Sequence, residues 1–575
     1  MFSFIRKPQT INNQFTPKPE RHLQGTVRFI PLGGIGDVTK NMYVYEYEFK
    51  GIKEILIVDC GVGFPDANMY GVDLVIPDIT YLIDKAHLIK GIVLTHGHED
   101  HIAALPYLWP KLKVPIYATR LTAALANVRL LDRSVSAPIT VCDRDKILHL
   151  GNFSIEFIHV THSIPDANHL VIRTPGGTFY HGSDYKFDWT PVDSDPTQVE
   201  KIAKASSTGI TVMTTDSLGS DRPGYTLSER VILKGFEKEI GNCRGKFIVT
   251  TQSSNISRIQ QAITVAIAGH RRICLLGRSI KQNVEVAQKL GYIKLPQSSM
   301  ISEKEIKRYP ANKVALIVAG SQGQVESALS RIALGDNKNV QIYPSDMVVF
   351  SADPIPGNEE AVHSLIDLLV DLGAEVSYSE VLEDLHVSGH GSQNDLLLLL
   401  ALVKPRFVIP IGGTKRHMYH YKALAKTLGY NNEQILLLEN GQVVGFENNK
   451  LVKQNPITVE TVMVDGLGIG DVGNVVLRDR RKMAQDGIVM VIIPFDKPKG
   501  TIEKDIDVIS RGFVYMKESE QLIYQAKQMV IREFNNKKTA KDPLYVKKLI
   551  EDMLEKFLYD KTHRRPMVMV VLIEV

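Results

Sequence analysis

The chain has 575 residues, of which 44% are hydrophobic, and a formal net charge of +4 at pH 7. This length exceeds what a single hydrophobic core supports, so we expect about three domains. A net charge this small does not by itself indicate nucleic-acid binding. If the chain has a nucleic-acid-binding groove, a local concentration of Lys and Arg must form it.

The cysteine content and the N-terminal segment bear on the cellular compartment. The cysteines form no CxxC pair, which argues against a disulfide framework and favours a reducing compartment. No apolar segment follows Arg6 and Lys7, and the most apolar run, residues 396–403, ends at Lys404, well short of a membrane span. We therefore expect a cytoplasmic protein without a membrane segment. Residues 1–23 are polar and basic and contain proline, which predicts a mobile N-terminal arm.

A dense cluster of metal-ligating residue types follows the apolar, β-branched segment 91–95. The motif reads His96-Gly97-His98-Glu99-Asp100-His101. A strand that ends in such a loop can direct imidazoles and a carboxylate at two adjacent ions, because both groups suit zinc or manganese. We predict a two-metal hydrolytic centre with ligands His96, His98, Asp100 and His101, whereas Glu99 is expected to be an ordinary solvated side chain.

Two further ligands are expected downstream, because a catalytic two-metal site needs a third imidazole for one ion and a carboxylate that bridges both. His162 ends the alternating segment 153–162 and precedes a turn, and Asp184 ends the segment 178–184. Both residues are predicted to lie at strand ends and to complete the centre. Packing or supporting roles are expected for the neighbouring histidines His159, His169 and His181.

The pattern changes in the middle of the chain. Between residues 228 and 380 strands alternate with amphipathic helices, as in segments 247–251 and 257–268, which predicts a parallel α/β sheet. Helix 393–403 and strand 406–411 would then return the chain to the first core. A final α+β unit, residues 455–575, ends in the apolar strand 567–573. Pairing within the chain is the favoured interpretation of that strand, and a dimer contact is the alternative.

Two glycine-rich loops have the composition of anion-binding sites. Gly320-Ser321-Gln322-Gly323 precedes a helix predicted to begin at Val325. His386-Val387-Ser388-Gly389-His390-Gly391 combines glycines, which permit close backbone approach, with hydrogen-bonding side chains before a helix. A plain turn with a helix cap is the alternative for this second loop. For a basic groove the candidates are Arg258 and Arg278, each beside a strand-to-helix transition, and solvated helix faces are the alternative.

Together with Gly33-Gly34-Ile35-Gly36, Thr215-Asp216-Ser217, Gly277-Arg278-Ser279 and residues 354–359, these motifs resemble the ribonuclease J family from about Thr26 to the C-terminus. The resemblance implies a multidomain α/β and α+β fold. Its parts are a metallo-β-lactamase αββα sandwich, an inserted β-CASP α/β domain and a small C-terminal α+β domain. The implied boundaries are 24–227 and 381–454 for the two parts of the lactamase domain, 228–380 for the insert and 455–575 for the last domain.

The resemblance also implies an activity: a metal-dependent 5′-to-3′ exoribonuclease, with endoribonuclease activity as a second mode, in rRNA and mRNA maturation and decay. His390 is the expected proton donor to the leaving group, and Asp100 and Asp216 are the other expected catalytic residues. Expected substrate contacts are His386, Val387, Ser388, Gly389, His390 and Ser321. Expected cofactors are one or two Zn²⁺ ions, with Mn²⁺ as the alternative. Expected partners are RNA with a 5′-monophosphate and either a second copy or a paralogue of the chain.

One position departs from the family pattern. After strand 406–411 the family usually places a histidine that ligates the second metal, whereas this chain has Gly412-Gly413-Thr414. The first site is then complete with His96, His98, His162 and the bridging Asp184, but the second keeps only Asp100, His101 and Asp184. Lower affinity for the second ion is expected, unless His417 or His420 swings in from the next helix. A catalytically weak paralogue that serves as an RNA-binding or assembly subunit is therefore the alternative function, and a small-molecule hydrolase is a third.

Overall fold

The computed structural model describes residues 23–66, 68–192, 194–355, 357–496, 498–499, 501–502, 505–514, 519–536 and 542–574. The expected N-terminal arm lies outside the described residues up to position 22. The chain divides into two compact units, Met1–Gly63 with Ile76–Thr461, and Phe64–Val75 with Val462–Val575. Within the described residues no helix combines the length and apolarity that crossing a membrane would require.

The strands, in chain order, are β1 Thr26–Pro31, β2 Ile35–Gly36, β3 Tyr43–Phe49, β4 Ile52–Val58, β5 Leu74–Pro77, β6 Ile89–Val93, β7 Ile116–Ala118, β8 Ile139–Val141, β9 Leu148–Leu150, β10 Phe153–His159, β11 Asn168–Thr174, β12 Gly177–His181, β13 Val212–Asp216, β14 Phe247–Thr250, β15 Arg272–Leu276, β16 Val314–Val318, β17 Met347–Phe350, β18 Glu375–Ser377, β19 Phe407–Ile411, β20 Gly413–Thr414, β21 Val444–Glu447, β22 Lys450–Lys453, β23 Thr461–Asp465, β24 Gly468–Ile469, β25 Ile488–Asp496, β26 Thr501–Ile502, β27 Asp507–Arg511 and β28 Met567–Glu574.

The α-helices are α1 Thr80–Ile83, α2 Glu99–Ile102, α3 Leu105–Leu112, α4 Arg120–Asp132, α5 Val199–Ser206, α6 Arg230–Asn242, α7 Ile256–Ala268, α8 Arg278–Lys289, α9 Ala328–Ala333, α10 Glu359–Asp371, α11 Gln393–Val403, α12 Lys415–Thr427, α13 Asn474–Asp486, α14 Glu520–Asn536 and α15 Pro543–Thr562. Short 3₁₀ helices lie at Ala86–Leu88, Gln297–Ser299, Glu303–Arg308, Ala311–Lys313 and Glu383–Leu385.

In the first unit two sheets form a sandwich. One has the strand order β22-β21-β1-β3-β4-β6-β7-β8 and the other β19-β13-β12-β11-β10-β9. Apolar side chains from both sheets share one buried core, in which Phe29 and Tyr45 of the first sheet meet Phe179 of the second. Helices α5, α11 and α12 cover the outer face of the second sheet, while α4 contacts β7 and β8 of the first. These four layers are the αββα sandwich that the resemblance implies.

The chain segment between two neighbouring strands of this sandwich forms a separate sheet. Strands β13 and β19 pair in parallel, with Thr214 opposite Ile409, although the chain leaves after the first and returns only at the second. Between them the order β15-β16-β14-β17-β18 forms a wholly parallel sheet, as the sequence pattern predicts. Strands β14, β16 and β17 of this sheet are fully buried, and its core includes residues of α9 and α10. Such an insertion places the parallel sheet next to the strand ends that carry the predicted ligands.

The second unit has its own core around the long strand β25. Alternate residues of this strand are buried, and they pack with α14 and α15 through Val530, Ile550 and Leu554. Strand β27 pairs with β25 antiparallel and β28 pairs with it in parallel, from Met567 opposite Ile488 onwards. The terminal apolar strand therefore has a partner within its own chain, which is the favoured interpretation of the sequence.

Candidate metal centre

The first group of predicted ligands converges at the edge of the sandwich. His96 and His98 lie on the loop that follows β6, His162 follows β10, and Asp184 follows β12. His98 Nδ1 lies 3.1 Å from His96 Nε2 and 3.0 Å from His162 Nε2. Asp184 Oδ2 lies 3.8 Å from Nε2 of both His96 and His162. Three imidazole nitrogens and one carboxylate oxygen thus face a common point, in side chains that are all buried.

The chemistry of this group fits a divalent metal. Burial and neighbouring imidazoles lower the pKa of His96 and of His98 well below the usual value, and lower the pKa of His162 to about 3. The three rings are therefore neutral, which is the form that binds metal. His98 Nδ1 lies within hydrogen-bonding distance of Nε2 of both His96 and His162, and because a neutral ring carries only one proton, a single N–H on His98 would have to serve both neighbours. A cation at their common point satisfies all of them.

The second group shares Asp184 with the first. His101 Nε2 lies 3.6 Å from Asp100 Oδ2 and 3.4 Å from Asp184 Oδ2. Burial lowers the pKa of His101, but the carboxylates of Asp184, Asp100 and Asp59 outweigh it and raise that pKa well above the usual value. The field at this position therefore favours positive charge, as a metal ion provides.

Asp59 is a functional residue that the sequence analysis missed. It follows β4 and is fully buried, with its Oδ2 accepting a hydrogen bond from His101 Nδ1 at 2.7 Å. Its Oδ1 accepts from the backbone N–H of Thr95 at 2.8 Å. The carboxylate therefore directs Nε2 of His101 into the centre. An available signal was that Asp59 ends a strand that pairs in parallel with β6, so both strands end at the same edge.

Gly412 lies at the edge of this centre, as the resemblance implies. A Cβ atom built at this position would lie 3.6 Å from Asp216 Oδ1 and 3.8 Å from Asp184 Oδ1. A side chain here would therefore point at the two carboxylates. His417 does not replace it, because its Nδ1 accepts from the backbone N–H of Thr414 and caps α12. His420 is exposed on the same helix. Neither histidine takes the vacant ligand position.

His390 faces the centre from the far side. Its Nδ1 donates to Asp216 Oδ2 at 2.7 Å, and its Nε2 lies 3.9 Å from Asp184 Oδ2. Burial lowers the pKa of His390, but Asp216 and Asp184 outweigh it and raise that pKa to about 9. The imidazole of His390 is therefore protonated at neutral pH.

The loop that carries His390 also touches a predicted ligand. His162 Nδ1 donates to the carbonyl oxygen of Gly389 at 2.7 Å. A Cβ atom at Gly389 would lie 2.8 Å from His162 Cε1, so only glycine permits this approach. His386, Ser388 and His390 are partly exposed, whereas Val387 and Gly389 between them are buried. The loop thus presents alternate polar side chains on one side, and a capping box at Ser392 begins the next helix.

Arg258 corrects one expectation. The sequence analysis placed it in an exposed basic groove, but it is only 1% exposed. Its guanidinium donates to both carboxylate oxygens of Glu229 at 2.9 Å, to the carbonyl of Val387 at 3.0 Å and to His386 Nδ1 at 2.8 Å. Lys186 Nζ lies 3.3 Å from the same carboxylate. Arg258 therefore supports the 386–391 loop through its contacts with His386 and Val387. Arg278, by contrast, is exposed at the start of α8.

Ser321 is buried in a turn rather than at a helix start. The predicted helix begins at Ala328 instead of Val325 and is only six residues long. The neighbouring Gln322 donates to the carbonyl of Asp353 at 2.9 Å, and Asp353 Oδ2 lies 3.4 Å from His386 Nε2. This turn is therefore joined to the 386–391 loop through Asp353.

The neighbouring histidines have supporting contacts, as expected. His159 contacts the backbone carbonyls of Ala167 and Asp195 through its two ring nitrogens. His169 contacts the hydroxyl of Tyr180, and His181 contacts that of Tyr45. Glu99 forms a partly exposed ion pair with Arg129.

Models of four protein families match successive parts of the chain. They are the metallo-beta-lactamase superfamily over residues 35–188, the ribonuclease J beta-CASP domain over 244–369, the Zn-dependent metallo-hydrolase RNA specificity domain over 376–434 and the ribonuclease J C-terminal domain over 475–575. A crystal structure of a protein of unknown function from Enterococcus faecalis V583 shares the fold, with a TM-score of 0.51 and 16% identity over 73% of this chain and all of the other.

Two curated relatives match almost the whole chain. Ribonuclease J2 of Bacillus subtilis (strain 168) is 38% identical over 554 residues, which cover 96% of this chain and 99% of the relative. Ribonuclease J of Thermus thermophilus is 38% identical over 563 residues, which cover 96% of each chain. With the four domain matches and the assembled cluster of histidines and aspartates, this similarity shows that the chain belongs to the ribonuclease J family of metal-dependent ribonucleases.

Proposed function

We propose that this ribonuclease degrades RNA from a 5′-monophosphorylated end towards the 3′ end, with endonucleolytic cleavage at the same centre as a second mode. The observation that carries the proposal is the position of the 386–391 loop. This loop directs His390 at Asp184, the carboxylate that all the ligand groups share. A loop that touches the reacting centre on one side and presents polar side chains on the other suits a substrate that ends there.

The proposed ligands are the predicted ones. His96, His98, His162 and Asp184 would hold one ion, and Asp100, His101 and Asp184 a second. With divalent ions held by these residues, the centre would supply water of lowered pKa and positive charge to offset the charge that develops on a phosphodiester. We propose Zn²⁺ for the group with three imidazoles, whose neutral rings suit it. The second group has fewer protein ligands, so its ion binds more weakly.

His390 is the proposed proton donor to the leaving oxygen. Its Nε2 faces the centre, while its Nδ1 is held by Asp216, so the imidazolium is both oriented and stabilised. Asp216 therefore acts through His390, and Asp100 acts as a ligand.

The 5′-terminal phosphate is proposed to lie against the open side of the same loop. Ser388 accepts a hydrogen bond from the backbone N–H of His390 at 3.1 Å, which leaves its own hydroxyl proton to donate to a phosphate oxygen. Val387 and Gly389 are buried, so any contact they make with RNA is through the backbone. His386 Nδ1 accepts from Arg258, so only its Nε2–H can donate. Ser321 is proposed as a more remote contact, joined to this loop through Asp353 and Gln322.

The cellular location and the protein partner of the chain are also proposals. The cysteines are free, and Cys60, Cys243 and Cys274 are buried, which supports a cytoplasmic location. Relatives named Ribonuclease J2 and Ribonuclease J 1 support a paralogue, or a second copy of the chain, as protein partner. The weak-paralogue alternative is not favoured, because the predicted ligands and His390 all converge on Asp184.

The test compares one RNA with a 5′-monophosphate, a 5′-triphosphate or a 5′-hydroxyl, labelled at either end. We expect immediate release of labelled mononucleotide from the 5′-labelled monophosphate and progressive shortening of the 3′-labelled RNA. His390→Ala should lower kcat more than it raises KM, and Ser388→Ala should narrow the preference for the monophosphate. The exposed Ser298→Ala is the control. Equal rates for all three ends, or release from the 3′ end, would contradict the proposal.

A further inference from the structure

Asn41 is a buried amide that lies against the second group of ligands. It is 2% exposed, and its backbone N–H donates to the carbonyl of Asp100 at 3.0 Å. The N–H of Gly61 donates to the carbonyl of Asn41 at 2.9 Å. The segment that leads into β3 is thereby bonded to the ligand-bearing loop, and the side chain of Asn41 is held beside the second group of ligands.

The amide group of Asn41 lies near the ligand atoms of His101, Asp100 and Asp184 and adds a fourth polar group to them. The amide atom that faces the centre lies 3.1 Å from His101 Nε2 and 3.4 Å from Asp100 Oδ2. His101 Nε2 in turn lies 3.6 Å from Asp100 Oδ2 and 3.4 Å from Asp184 Oδ2. Donor atoms of a tetrahedral ion with bonds of about 2.1 Å lie about 3.4 Å apart. The four distances among these atoms, 3.1–3.6 Å, therefore match the spacing of ligands around one ion.

The amide can present its oxygen to that ion. With nitrogen facing the centre, Asn41 Nδ2 donates to Asp100 Oδ2 and, when the His101 ring is neutral, to the lone pair of its Nε2, while Oδ1 accepts from the Tyr43 hydroxyl at 2.7 Å. The hydroxyl of Tyr43 also lies 3.3 Å from the carbonyl of Gly34. After a half-turn of the amide, Nδ2 donates to Tyr43 and the Tyr43 hydroxyl donates to Gly34.

The half-turn gives up one contact, the 3.3 Å hydrogen bond from Asn41 Nδ2 to the carbonyl of Val38. In exchange it frees the lone pairs of His101 and Asp100 for an ion and adds an oxygen ligand. Tyr43 is satisfied in both orientations, so the surrounding hydrogen bonds permit the change.

We propose that the amide oxygen of Asn41 is the fourth protein ligand of the second ion, in place of the imidazole that Gly412 does not provide. This inference rests on the proposed two-ion centre. The site then has three oxygen ligands and one nitrogen ligand. Such a set favours a harder divalent ion, Mn²⁺, whereas the three-imidazole group favours Zn²⁺. The two positions of this chain therefore differ in the ion they select.

The test measures metal binding without RNA, so its failure is distinguishable from failure of the proposed ribonuclease activity. Metal-free protein is loaded with one equivalent of Zn²⁺ and titrated with Mn²⁺, whose free form is followed by electron paramagnetic resonance. Asn41→Leu should weaken Mn²⁺ binding about 10-fold to 100-fold and leave the retained Zn²⁺ unchanged. Asn448→Asp, an exposed change of the same chemical type as the next variant, is the control.

Asn41→Asp decides between a ligand and a mere donor. A carboxylate keeps the oxygen and loses the N–H, so a ligand role predicts tighter Mn²⁺ binding, whereas a donor role predicts weaker binding through repulsion from Asp100. This variant also serves if Asn41→Leu does not fold. Adding Gly412→His to Asn41→Leu should restore a second ion and shift its preference towards Zn²⁺. Unchanged Mn²⁺ affinity in Asn41→Leu, or weaker binding in Asn41→Asp, would overturn the proposal.

Discussion

His162 donates a hydrogen bond from Nδ1 to the carbonyl oxygen of Gly389 at 2.7 Å, although 227 positions separate them in the chain. This bond fixes the ring so that Nε2 faces the other imidazoles. A ligand from the first part of the sandwich is therefore oriented by backbone that follows the inserted sheet. The cluster of predicted metal ligands and the 386–391 loop are therefore parts of one structure.

We predict that Gly389→Ala weakens the first ion. The added Cβ would lie 2.8 Å from His162 Cε1 and 2.6 Å from Ser163 Oγ, so the ring must move away from the other ligands. Affinity for Zn²⁺ at the first position should fall about 10-fold to 100-fold. Competition with a chromophoric chelator measures it. Gly241→Ala, where a Cβ meets nothing within 4 Å, should leave the affinity unchanged.

Asp100→Ala should remove the second ion and spare the first. Asp100 belongs to the group with His101 and Asp184 and has no place among the three-imidazole ligands. Metal content per chain after dialysis measures the effect, with one Zn²⁺ retained as the expected result. Loss of both ions together would show that the two positions are not independent.

Gly412→His should strengthen Zn²⁺ binding at the second position. The backbone at Gly412 has φ +62°, so any side chain here costs about 1–2 kcal/mol of stability. Gly412→Ala has the same strain without a ligand and is the matched control. Zinc titration and thermal unfolding of the metal-free protein separate the two effects. If histidine and alanine give the same second-site affinity, position 412 does not face the ion.

Arg258→Met should destabilise the protein by about 3–5 kcal/mol, because it leaves the buried Glu229 carboxylate without its main partner. Neighbouring Arg258 and Lys186 lower the pKa of Glu229 to about 2 despite its burial, so the carboxylate is charged at neutral pH. Urea unfolding measures the loss, and adding Glu229→Leu should recover part of it. Arg278→Met, on an exposed arginine, should have little effect on stability.

His386 should make the free energy of unfolding depend on pH between about pH 4 and pH 6.5. Burial and the charge of Arg258 lower the pKa of His386 from 6.5 to about 4. The folded state therefore resists protonation, so stability from neutral His386 is complete above about pH 6.5 and is lost as pH falls towards 4. His386→Asn keeps an acceptor for Arg258 but does not titrate. Its free energy of unfolding, in the metal-loaded protein, should fall less than that of the parent between pH 7 and pH 5.

Local sequence patterns were sufficient to predict that most of the proposed metal ligands lie close together. The HxHxDH motif follows a buried strand, and His162 and Asp184 follow strands of the facing sheet, so strand ends alone predicted their convergence. Helix α11 begins at Gln393 and ends at Val403, as its apolar pattern predicts. The strands before His162 and Asp184 end three residues earlier than predicted, at His159 and His181, so both ligands lie on the loops that follow these strands.

What the sequence did not predict depends on contacts between distant segments. Asp59 and Asn41 reach His101 because β4 pairs with β6 and because the segment before β3 is bonded to Asp100. Neither residue stands within a local motif. Arg258 was placed correctly on a helix, but its burial depends on the 386–391 loop that covers it. Strand order and loop packing, rather than propensity, decide such positions.

Strand β1 pairs on one side with β3 and on the other with β21, where Thr26 lies opposite Glu447. During synthesis the second edge of β1 stays open until β21 has left the ribosome. At 5–20 residues per second that interval is roughly 20–80 s. An unpaired strand edge is a template for association with other chains. The order of strands in this sandwich therefore makes the nascent chain dependent on protection of its first strand until more than three quarters of the protein has been made.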